Sequence, residues 1–313
     1  MADAGERAGA RVLLLVNAAS GQGLDDATRA HLRERTPDRL RGTELVVIDE
    51  PEFARLRERA RTELERGAAA VVVSGGDGMV SLGVDLVAGT PVPLGILPTG
   101  SGNDCARAAG IPVARRRWRE ALDRLLRALE HPDAYVRRVD ALRVRCGGRE
   151  RWVANSVNFG FDAVVNARAN ELRLPGTLRY LAAIVQETGR FEAREFALRL
   201  DDGPEERLAT TLVCAANGGS IGGGVRIAPG ADLADGRVEV VTVAALPKIG
   251  FLALFPTAML GLHVHLPQVR IRRAVRLAVT GPAELPVFAD GEPIGAGGFE
   301  LEVVPGAWRL LHG

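Results

Sequence analysis

The chain has 313 residues, with 40 Lys and Arg against 39 Asp and Glu, a formal net charge of +1 and 47% apolar residues. Near-balanced charge does not predict general nucleic-acid binding, which needs a cationic excess to displace phosphate counterions. The apolar fraction is that of a folded chain, and roughly 150 residues per domain predicts two domains. The single lysine, Lys248, lies near no glycine-rich loop, which disfavours kinases that place a lysine on the nucleotide phosphates.

Cysteines and apolar segments indicate the compartment. Cys105, Cys146 and Cys214 are odd in number and far apart, which argues against a disulfide framework or a zinc site and suits a reducing cytoplasm. Residues 1–10 lack the apolar run of a signal peptide. The longest apolar stretch, 249–262, is shorter than the about 20 residues of a spanning helix. We expect a cytoplasmic protein that touches a membrane only peripherally, at its inner face.

The first half of the chain alternates short apolar segments with helical ones. RVLLLVN (11–17) is apolar almost throughout, as expected of a strand buried on both faces. Further strands are predicted at 44–49, 69–76 and 92–98, and helices near 25–35, at 51–66, at 79–88, from 103 and at 114–130. This alternation predicts an N-terminal doubly wound α/β domain over residues 1–131, whose ligands bind beyond the carboxyl ends of the strands.

After residue 131 the pattern changes to strands joined by hairpin-like turns. Strands are predicted at 135–146, 151–159, 195–201, 208–216, 237–245, 268–279, 285–289 and 299–304, with one helical segment at 162–189. This spacing predicts a C-terminal antiparallel β-sandwich domain over residues 132–313. The last residues, 306–313, are expected to return to the first domain.

Three glycine-rich loops follow predicted strands: NAASGQG (17–23), SGGDGMV (74–80) and PTGSGND (98–104). Glycines let backbone N–H groups approach an anion closely. Asp77 cannot bind phosphate itself, but it can hold Mg²⁺ or accept a proton. The alternative is an ordinary turn with Asp77 as N-cap. Three such loops at strand carboxyl ends favour a phosphate-binding site, although neither the GxGxxG nor the P-loop motif is present.

These loops, in this order, resemble the diacylglycerol kinase catalytic family, the bacterial lipid kinases. VNFGFDAVVNARAN (157–170), ANGGSIGGGVRIAPGADLADG (216–236) and FADGEPIG (288–295) resemble later segments of the same family, so the likeness covers residues 11–304. GGDG alone is a weak signal, because NAD kinases and phosphofructokinases carry it too. Its combination with GSGND, the P-x-A-x-L-x-D-G stretch (229–236) and the late DGE is specific.

The resemblance implies that ATP contacts the first-domain loops. The implied contacts are Asn17, Ala18, Ala19, Ser20, Gly21, Asp49, Gly76, Asp77, Gly78, Met79, Val80, Ser81, Leu82 and Ser101. Asp49 could equally be a solvated strand end. Met79 replaces the usual Thr, and Ser81 and Leu82 replace the usual Asn and Glu, so a hydroxyl and a carboxylate near the phosphates are lost. Backbone contacts would tolerate these changes, whereas side-chain contacts would not.

The resemblance also implies catalytic and metal residues in addition to Asp77. Glu292, in DGE, would be the general base that takes the proton of a lipid hydroxyl, since an alcohol attacks poorly without a proton acceptor. Alternatively, DGE is only a hairpin turn. A second Mg²⁺, additional to that of ATP, would be held by the Asp235 side chain and the carbonyls of Asp232 and Arg237. A simple acidic turn is the alternative.

Three functions remain open at this point. The first is an ATP- and Mg²⁺-dependent lipid kinase with ATP in a cleft between the domains, acting on diacylglycerol or a related lipid. The second is an NAD kinase-like enzyme or another kinase of a small alcohol. The third is a catalytically silent nucleotide- or lipid-binding protein, which Met79 and Leu82 would suit.

Membrane contact and self-association are the expected interactions. The apolar segment 249–262 could lie in a membrane interface, although a buried core helix explains it as well. RRRWR (115–119) and RIRRAVR (270–276) could meet anionic headgroups or be solvated faces. A sandwich edge could pair two chains into a homodimer.

Overall fold

The structure is a computed structural model that describes residues 10–17, 40, 42–113, 117–172, 174, 177–189 and 192–313. The chain forms two compact units. The first comprises Met1–Val139 with Gly306–Gly313, and the second comprises Asp140–Pro305. The assignment of ATP to the first domain and of the lipid substrate to the second stays a prediction.

The first unit is built on a parallel sheet with the order β15-β4-β3-β1-β2. Its strands are β1 (Ala10–Val16), β2 (Thr43–Asp49), β3 (Ala70–Gly75), β4 (Leu94–Pro98) and the end of β15 (Gly298–Leu311). Val16 pairs with both Asp49 and Ser74, and Gly75 pairs with Pro98. Because these partners are the last residues of their strands or next to them, the loops that follow start at one edge of the sheet.

Helices flank this sheet. The described ones are α1 (Phe53–Glu65), α2 (Asp77–Val87), α3 (Asp104–Ala108), α4 (Trp118–Glu130) and α5 (Pro132–Tyr135). Leu122 and Leu125 of the amphipathic α4 pack with Val72 and Leu97 of the sheet. Leu311 of β15 joins the same cluster, so the end of the chain contributes to the core of the first unit.

The second unit is antiparallel throughout its described strand pairs. Its strands are β5 (Val136–Cys146), β6 (Arg149–Val153), β7 (Ser156–Gly160), β8 (Arg194–Leu200), β9 (Glu206–Ala216), β10 (Val238–Ala244), β11 (Val269–Ala274), β12 (Arg276–Thr280), β13 (Pro286–Ala289), β14 (Glu292–Ala296) and β15. The main path runs β14-β13-β7-β9-β8-β12-β15, with β10 between β9 and β11 and β5 between β15 and β6.

Two cores hold the second unit together. One is centred on Phe159, Phe196 and Phe299, whose rings meet edge to face. The other packs helices against the sheet. These helices are α6 (Phe161–Glu171), α7 (Thr177–Thr188) and α8 (Lys248–Leu260), and a short 3₁₀ turn, Leu262–His265, follows. None of the described helices is long and apolar enough to cross a membrane.

The predicted class, an α/β domain followed by a β-sandwich, is confirmed, but several of its elements were predicted wrongly. The predicted helix 162–189 is two helices, and the sequence between them contains Pro175 and Gly176, which disfavour a continuous helix. The predicted strand 299–304 extends over Gly298–Leu311. The hairpin strand β14 was missed, because Glu292–Ala296 has little apolar alternation.

Two predicted strands are each divided by an aspartate from elsewhere in the chain. The strand predicted at 151–159 breaks where the Ala154 and Asn155 N–H groups donate to Asp290. The strand predicted at 268–279 breaks at Val275, whose N–H donates to Asp201 Oδ1 at 2.8 Å. Side-chain acceptors that replace a strand partner in this way leave no signal in local sequence.

Candidate active site

The second and third glycine-rich loops touch through their backbones in the first unit. Thr99 N–H donates to Gly75 O at 3.1 Å, which continues the pairing of β3 with β4 into the loops. A β-carbon built on Gly100 would lie 2.6 Å from the Gly76 nitrogen and nearer still to its α-carbon. Only glycine fits at position 100, so the two loops form one continuous backbone surface.

Helix α2 begins at this surface. Gly76 is its N-cap, and the Met79 and Val80 N–H groups donate to Gly76 O at 3.0 and 3.2 Å. The first amides of a helix have no acceptor within the helix and carry the positive end of its dipole. With half-buried glycines at positions 76 and 78, this end of α2 suits an anion such as a phosphate.

Asp77 links the second loop to the third. Its Oδ1 accepts a hydrogen bond from Cys105 N at 3.0 Å, in the first turn of α3. Asp104, next in the chain to Asn103, is 2% exposed and pairs with Arg107 at 2.6 Å. Arg107 also donates to Gly102 O at 3.0 Å. Two carboxylates and an arginine therefore fix the third loop.

Asn103 is held in an uncommon conformation at the centre of this arrangement. Its φ is 58°, in the left-handed region, which asparagine tolerates better than most residues. Its Nδ2 donates to Gly100 O at 2.6 Å, while its buried Oδ1 has no partner among the described residues. The hydrogen bond between Asn103 and Gly100, both in the GSGND motif, therefore stabilises the turn that brings Gly100 against Gly76.

The predicted nucleotide residues differ in exposure. Asn17, Gly76, Asp77 and Gly78 are half-buried, and Asp49 and Ser101 are exposed. The next residues of α2 are buried: Met79, Val80, Ser81 and Leu82. Met79 and Leu82 are core side chains, so these two positions could meet a ligand only through the backbone. Ala18, Ala19, Ser20 and Gly21 lie outside the described residues.

The predicted base, Glu292, is exposed and opens β14 directly after a tight turn in the second unit. Asp290 has φ 48°, and its carboxylate accepts three backbone N–H groups, from Ala154 at 2.8 Å, Asn155 at 2.9 Å and Ser156 at 3.0 Å. Asp290 N–H in turn donates to Ser156 O at 3.0 Å. This network fixes the backbone two residues before Glu292.

A buried carboxyl lies in the same unit, in the first turn of α6. Burial raises the pKa of Asp162 to about 7, and its Oδ2 is shielded from solvent without a described hydrogen-bond partner. Burial, and secondarily the Asp162 charge, raises the pKa of the Cys214 thiol. Asn158 pairs in register with Cys214 and also has an orphaned buried Oδ1. A proton on Asp162 avoids burying its charge among these groups.

The predicted metal turn presents exposed oxygen donors. Asp232 Oδ1 accepts from Ala234 N and Asp235 Oδ1 accepts from Arg237 N, each at 3.0 Å. Among the described residues, no group of three or more His, Cys, Asp or Glu is arranged to hold a metal. The predicted site uses one carboxylate and two carbonyls, and hard oxygen donors of this kind fit Mg²⁺.

The buried Asp140 holds the Asp232–Arg237 turn in place by hydrogen bonds. Asp140 is 2% exposed, its Oδ2 accepts from Gly236 N at 2.7 Å, and its N–H donates to Leu233 O at 2.8 Å. Asn217 Nδ2 donates to Asp140 O at 3.2 Å. Buried groups of the protein itself therefore shape the turn.

Sequence reasoning missed four residues that shape these sites: Asn103, Asp140, Asp162 and Asp290. Asn103 and Asp290 lie inside motifs that were recognised, and an Asn or Asp at a tight turn could have indicated a left-handed conformation. Asp162 stands in an apolar segment and Asp140 in a predicted strand, and a carboxyl at such a position is a signal of a buried group.

Glycine-rich loops at the carboxyl edge of a parallel sheet, beside a helix N-terminus, suit a phosphate-bearing ligand, and an antiparallel sandwich follows in the chain. Two family models match the chain: "Diacylglycerol kinase catalytic domain" over residues 11–137, and "YegS C-terminal NAD kinase beta sandwich-like domain" over residues 155–312. The chain belongs to the diacylglycerol kinase and YegS-like lipid kinase family. It is therefore a kinase that acts on an alcohol acceptor.

Similar proteins agree with this assignment. A diacylglycerol kinase of Mycobacterium tuberculosis is 36% identical over 308 residues, covering 96% of this chain and 95% of the relative. A Stenotrophomonas maltophilia protein called "Probable lipid kinase YegS-like" is 30% identical over 258 residues, covering 79% of this chain and 80% of the relative.

Solved structures share the fold. A diacylglycerol kinase structure from Bacillus anthracis has a TM-score of 0.68 at 18% identity, with 97% of each chain covered. An Archaeoglobus fulgidus NAD kinase in complex with ATP has a TM-score of 0.51 at 15% identity, covering 97% of this chain and 93% of the other.

Proposed function

We propose that this protein transfers the γ-phosphoryl group of ATP to the hydroxyl of diacylglycerol or a closely related lipid, in a Mg²⁺-dependent reaction. The observation that carries the nucleotide part is the contact of Gly76 with Gly100, which joins two anion-binding loops at the N-terminus of α2. The lipid acceptor is supported by the relatives named diacylglycerol kinase and lipid kinase.

Backbone groups carry the phosphate contacts in this proposal. Met79 and Leu82 are buried, so the hydroxyl and carboxylate that the family usually places here have no solvent-facing equivalent. The glycines at 76 and 78 and the start of α2 offer N–H groups instead. The single lysine of the chain, Lys248, belongs to the second unit, so no lysine of the first unit can contribute.

Glu292 is the general base of the proposal. An exposed carboxylate on a backbone fixed by Asp290 can accept the acceptor hydroxyl proton as the new P–O bond forms. ATP supplies the phosphoryl group, and Mg²⁺ neutralises the developing charge on it. Asp77 and the Asp232–Arg237 turn are the proposed metal-binding positions, the second serving to position the surrounding backbone.

Purified protein incubated with γ-labelled ATP, Mg²⁺ and either extracted lipids or NAD tests the proposal. Label in an organic-soluble phospholipid supports it, and chelation of Mg²⁺ should abolish that product. Label transferred only to NAD would instead identify an NAD kinase. ATP binding without transfer to any acceptor would identify a catalytically silent protein.

Glu292→Gln should lower kcat by at least about a hundredfold, because proton transfer by a positioned side chain contributes roughly 10²–10⁴ in rate. The Kd for ATP should stay unchanged, since the predicted ATP loops belong to the other unit. Glu284→Gln, the same chemical change at an exposed residue before β13, is the control and should keep wild-type kcat. An unchanged kcat in Glu292→Gln would remove the residue from this role.

A further inference from the structure

Exposed large apolar side chains are concentrated on one part of the second unit. Nine such residues occur among the described residues, and seven of them lie on or beside two helices, α7 and α8. These seven, here called the α7/α8 apolar face, are Leu174, Leu178, Leu181, Val185, Met259, Leu260 and Leu262. Scattered exposed apolar residues need no explanation, but a concentration on neighbouring helices marks an interaction surface.

Helix α7 is apolar on the side that faces away from the protein. Ala183 and Ile184 are buried in the core, while Leu178, Leu181 and Val185 are 57%, 40% and 68% exposed. Leu178, Leu181 and Val185 are spaced by three or four residues, so they follow one outer face of the helix, and Leu174 lies before its first residue. A helix exposed to water normally carries polar residues on this face.

Helix α8 presents a similar outer side. Leu254 is buried in the same core cluster as Ala183 and Ile184, and α8 contacts α7. Met259, Leu260 and Leu262, at its end and in the 3₁₀ turn that follows, are exposed. The segment 249–262 contains no charged residue. Two helices that contact each other therefore both carry exposed apolar side chains.

A cation, Arg226, lies beside this face near the end of α8. Gly261, between Leu260 and Leu262, is packed so closely that an added β-carbon would lie 3.5 Å from the Arg226 side chain. Arg226 is exposed and makes no ion pair among the described residues. Helix α7 contains one acidic residue, Glu187. Its side chain is 13% exposed, and its Oε1 lies 3.5 Å from Arg168 Nε. An arginine without an ion pair in the described part of the chain is therefore exposed beside this face, whereas the carboxylate of α7 is largely buried and ion-paired.

We infer that the α7/α8 apolar face docks onto a lipid bilayer that contains anionic headgroups, with the leucines in the headgroup–acyl boundary and Arg226 at the headgroups. Apolar side chains with a cation beside them are the features that hold a helix in a membrane interface. The inference rests on the proposed lipid acceptor, because a diacylglycerol is dissolved in the bilayer and the enzyme must come to it.

The test measures binding to sedimented vesicles in the absence of ATP and of diacylglycerol, so that it does not depend on the kinase reaction. Wild type should bind vesicles of phosphatidylcholine mixed with phosphatidylglycerol more tightly than vesicles of phosphatidylcholine alone. The triple variant Leu178→Gln, Leu181→Gln, Val185→Gln should lose at least about tenfold in partition coefficient on both. Arg226→Gln should weaken binding to the anionic vesicles alone.

Val47→Gln and Val275→Gln are matched controls, since these valines are 51% and 38% exposed elsewhere on the protein. Both should bind as wild type does. A second variant, Leu260→Gln with Leu262→Gln, repeats the test on α8 in case the triple variant fails to fold. Wild-type vesicle binding by both folded variants would overturn the inference.

Two further outcomes distinguish bilayer docking from self-association of the chain and from the proposed kinase function. In analytical ultracentrifugation, wild type could sediment as a dimer and the triple variant as a monomer, with no loss of vesicle binding. This result would assign the face to a second copy of the chain and overturn the inference of bilayer docking. Turnover of a short-chain diacylglycerol dispersed without bilayers should be unchanged in the triple variant. If no diacylglycerol is phosphorylated while the variant still loses vesicle binding, the proposed function fails and the docking face stands.

Discussion

Gly100 and Gly78 belong to neighbouring glycine-rich loops, yet they are glycines for different reasons. A side chain at position 100 would collide with the Gly76 backbone, whereas a β-carbon at position 78 would meet nothing within 4 Å. Gly78 lies in α2 with an ordinary backbone conformation. The first glycine is required by a close approach, and the second is dispensable for packing.

Gly100→Ala should therefore weaken ATP binding by at least about tenfold, because the loops must separate to admit a methyl group whose nearest neighbours are backbone atoms. Gly78→Ala should keep the Kd for ATP within about threefold and raise the free energy of unfolding by roughly 0.5–1 kcal/mol, since alanine favours a helix. Calorimetric titration and urea unfolding measure both quantities. Equal effects of the two substitutions would contradict the assigned close approach.

Asp162 links stability to pH. Burial raises the pKa of Asp162 from its ordinary value of 3.8 to about 7, so its carboxyl keeps a proton in the folded state that the unfolded state releases. Between about pH 4 and pH 7 the folded state binds more protons, so stability falls as pH rises through this window. Above about pH 7 the cost of ionising the buried group is fully present.

Asp162→Asn removes this cost. The free energy of unfolding of the variant relative to wild type should increase by about 3 kcal/mol between pH 5 and pH 8, from the roughly 1.4 kcal/mol that each pKa unit represents. Urea unfolding of both proteins at the two pH values measures the difference. A constant difference at both pH values would show that Asp162 is ionised in the folded protein throughout.

At the scale of elements, two aspartates with left-handed backbones terminate strands by taking N–H groups that a sheet would otherwise use. Asp290, with φ 48°, does so for residues 154–156, and Asp201, with φ 50°, does so for Val275 and Arg276. In both turns an aspartate carboxylate accepts N–H groups from a distant strand, but only the Asp290 turn is followed by the proposed base, Glu292. They therefore form a natural pair for comparison.

Asp290→Asn and Asp201→Asn should each cost roughly 1–3 kcal/mol of stability, since a neutral amide replaces a carboxylate that accepts several N–H groups. Only Asp290→Asn should also lower kcat, with the KM for ATP unchanged, because it loosens the strand that carries Glu292. Urea unfolding and steady-state kinetics separate the two effects. An equal loss of kcat in both variants would reduce Asp290 to a purely structural residue.

At the scale of the whole molecule, the sequence predicts the order of elements well where a strand is apolar on both faces. RVLLLVN and AAVVVSGG are such segments, and both form central parallel strands with the loops at their carboxyl ends. It predicts poorly where contacts distant in the chain decide the outcome. The breaks at Ala154 and Val275 depend on Asp290 and Asp201, which are 136 and 74 residues away.

In the candidate site, too, local sequence predicts some features and distant contacts decide others. The glycine-rich motifs predict that Gly76, Asp77 and Ser101 lie at one edge of a sheet, and the pairing of the strands that precede them agrees. The burial of Met79 and Leu82 and the left-handed turn of Asn103 could not be predicted, because they follow from packing of α2 and from the contact between two loops. Local patterns indicate which residues meet a ligand, and tertiary packing decides whether side chain or backbone does so.

The central claim is phosphoryl transfer from ATP to a lipid hydroxyl, and mass spectrometry of the lipid product tests it most directly. Purified protein with diacylglycerol in mixed micelles, Mg²⁺ and ATP carrying ¹⁸O in its γ-phosphoryl group should yield phosphatidate that contains the label. Mg²⁺ chelation or Glu292→Gln should remove that product. Absence of labelled phosphatidate from protein that binds ATP, or its undiminished formation by Glu292→Gln, would contradict the account.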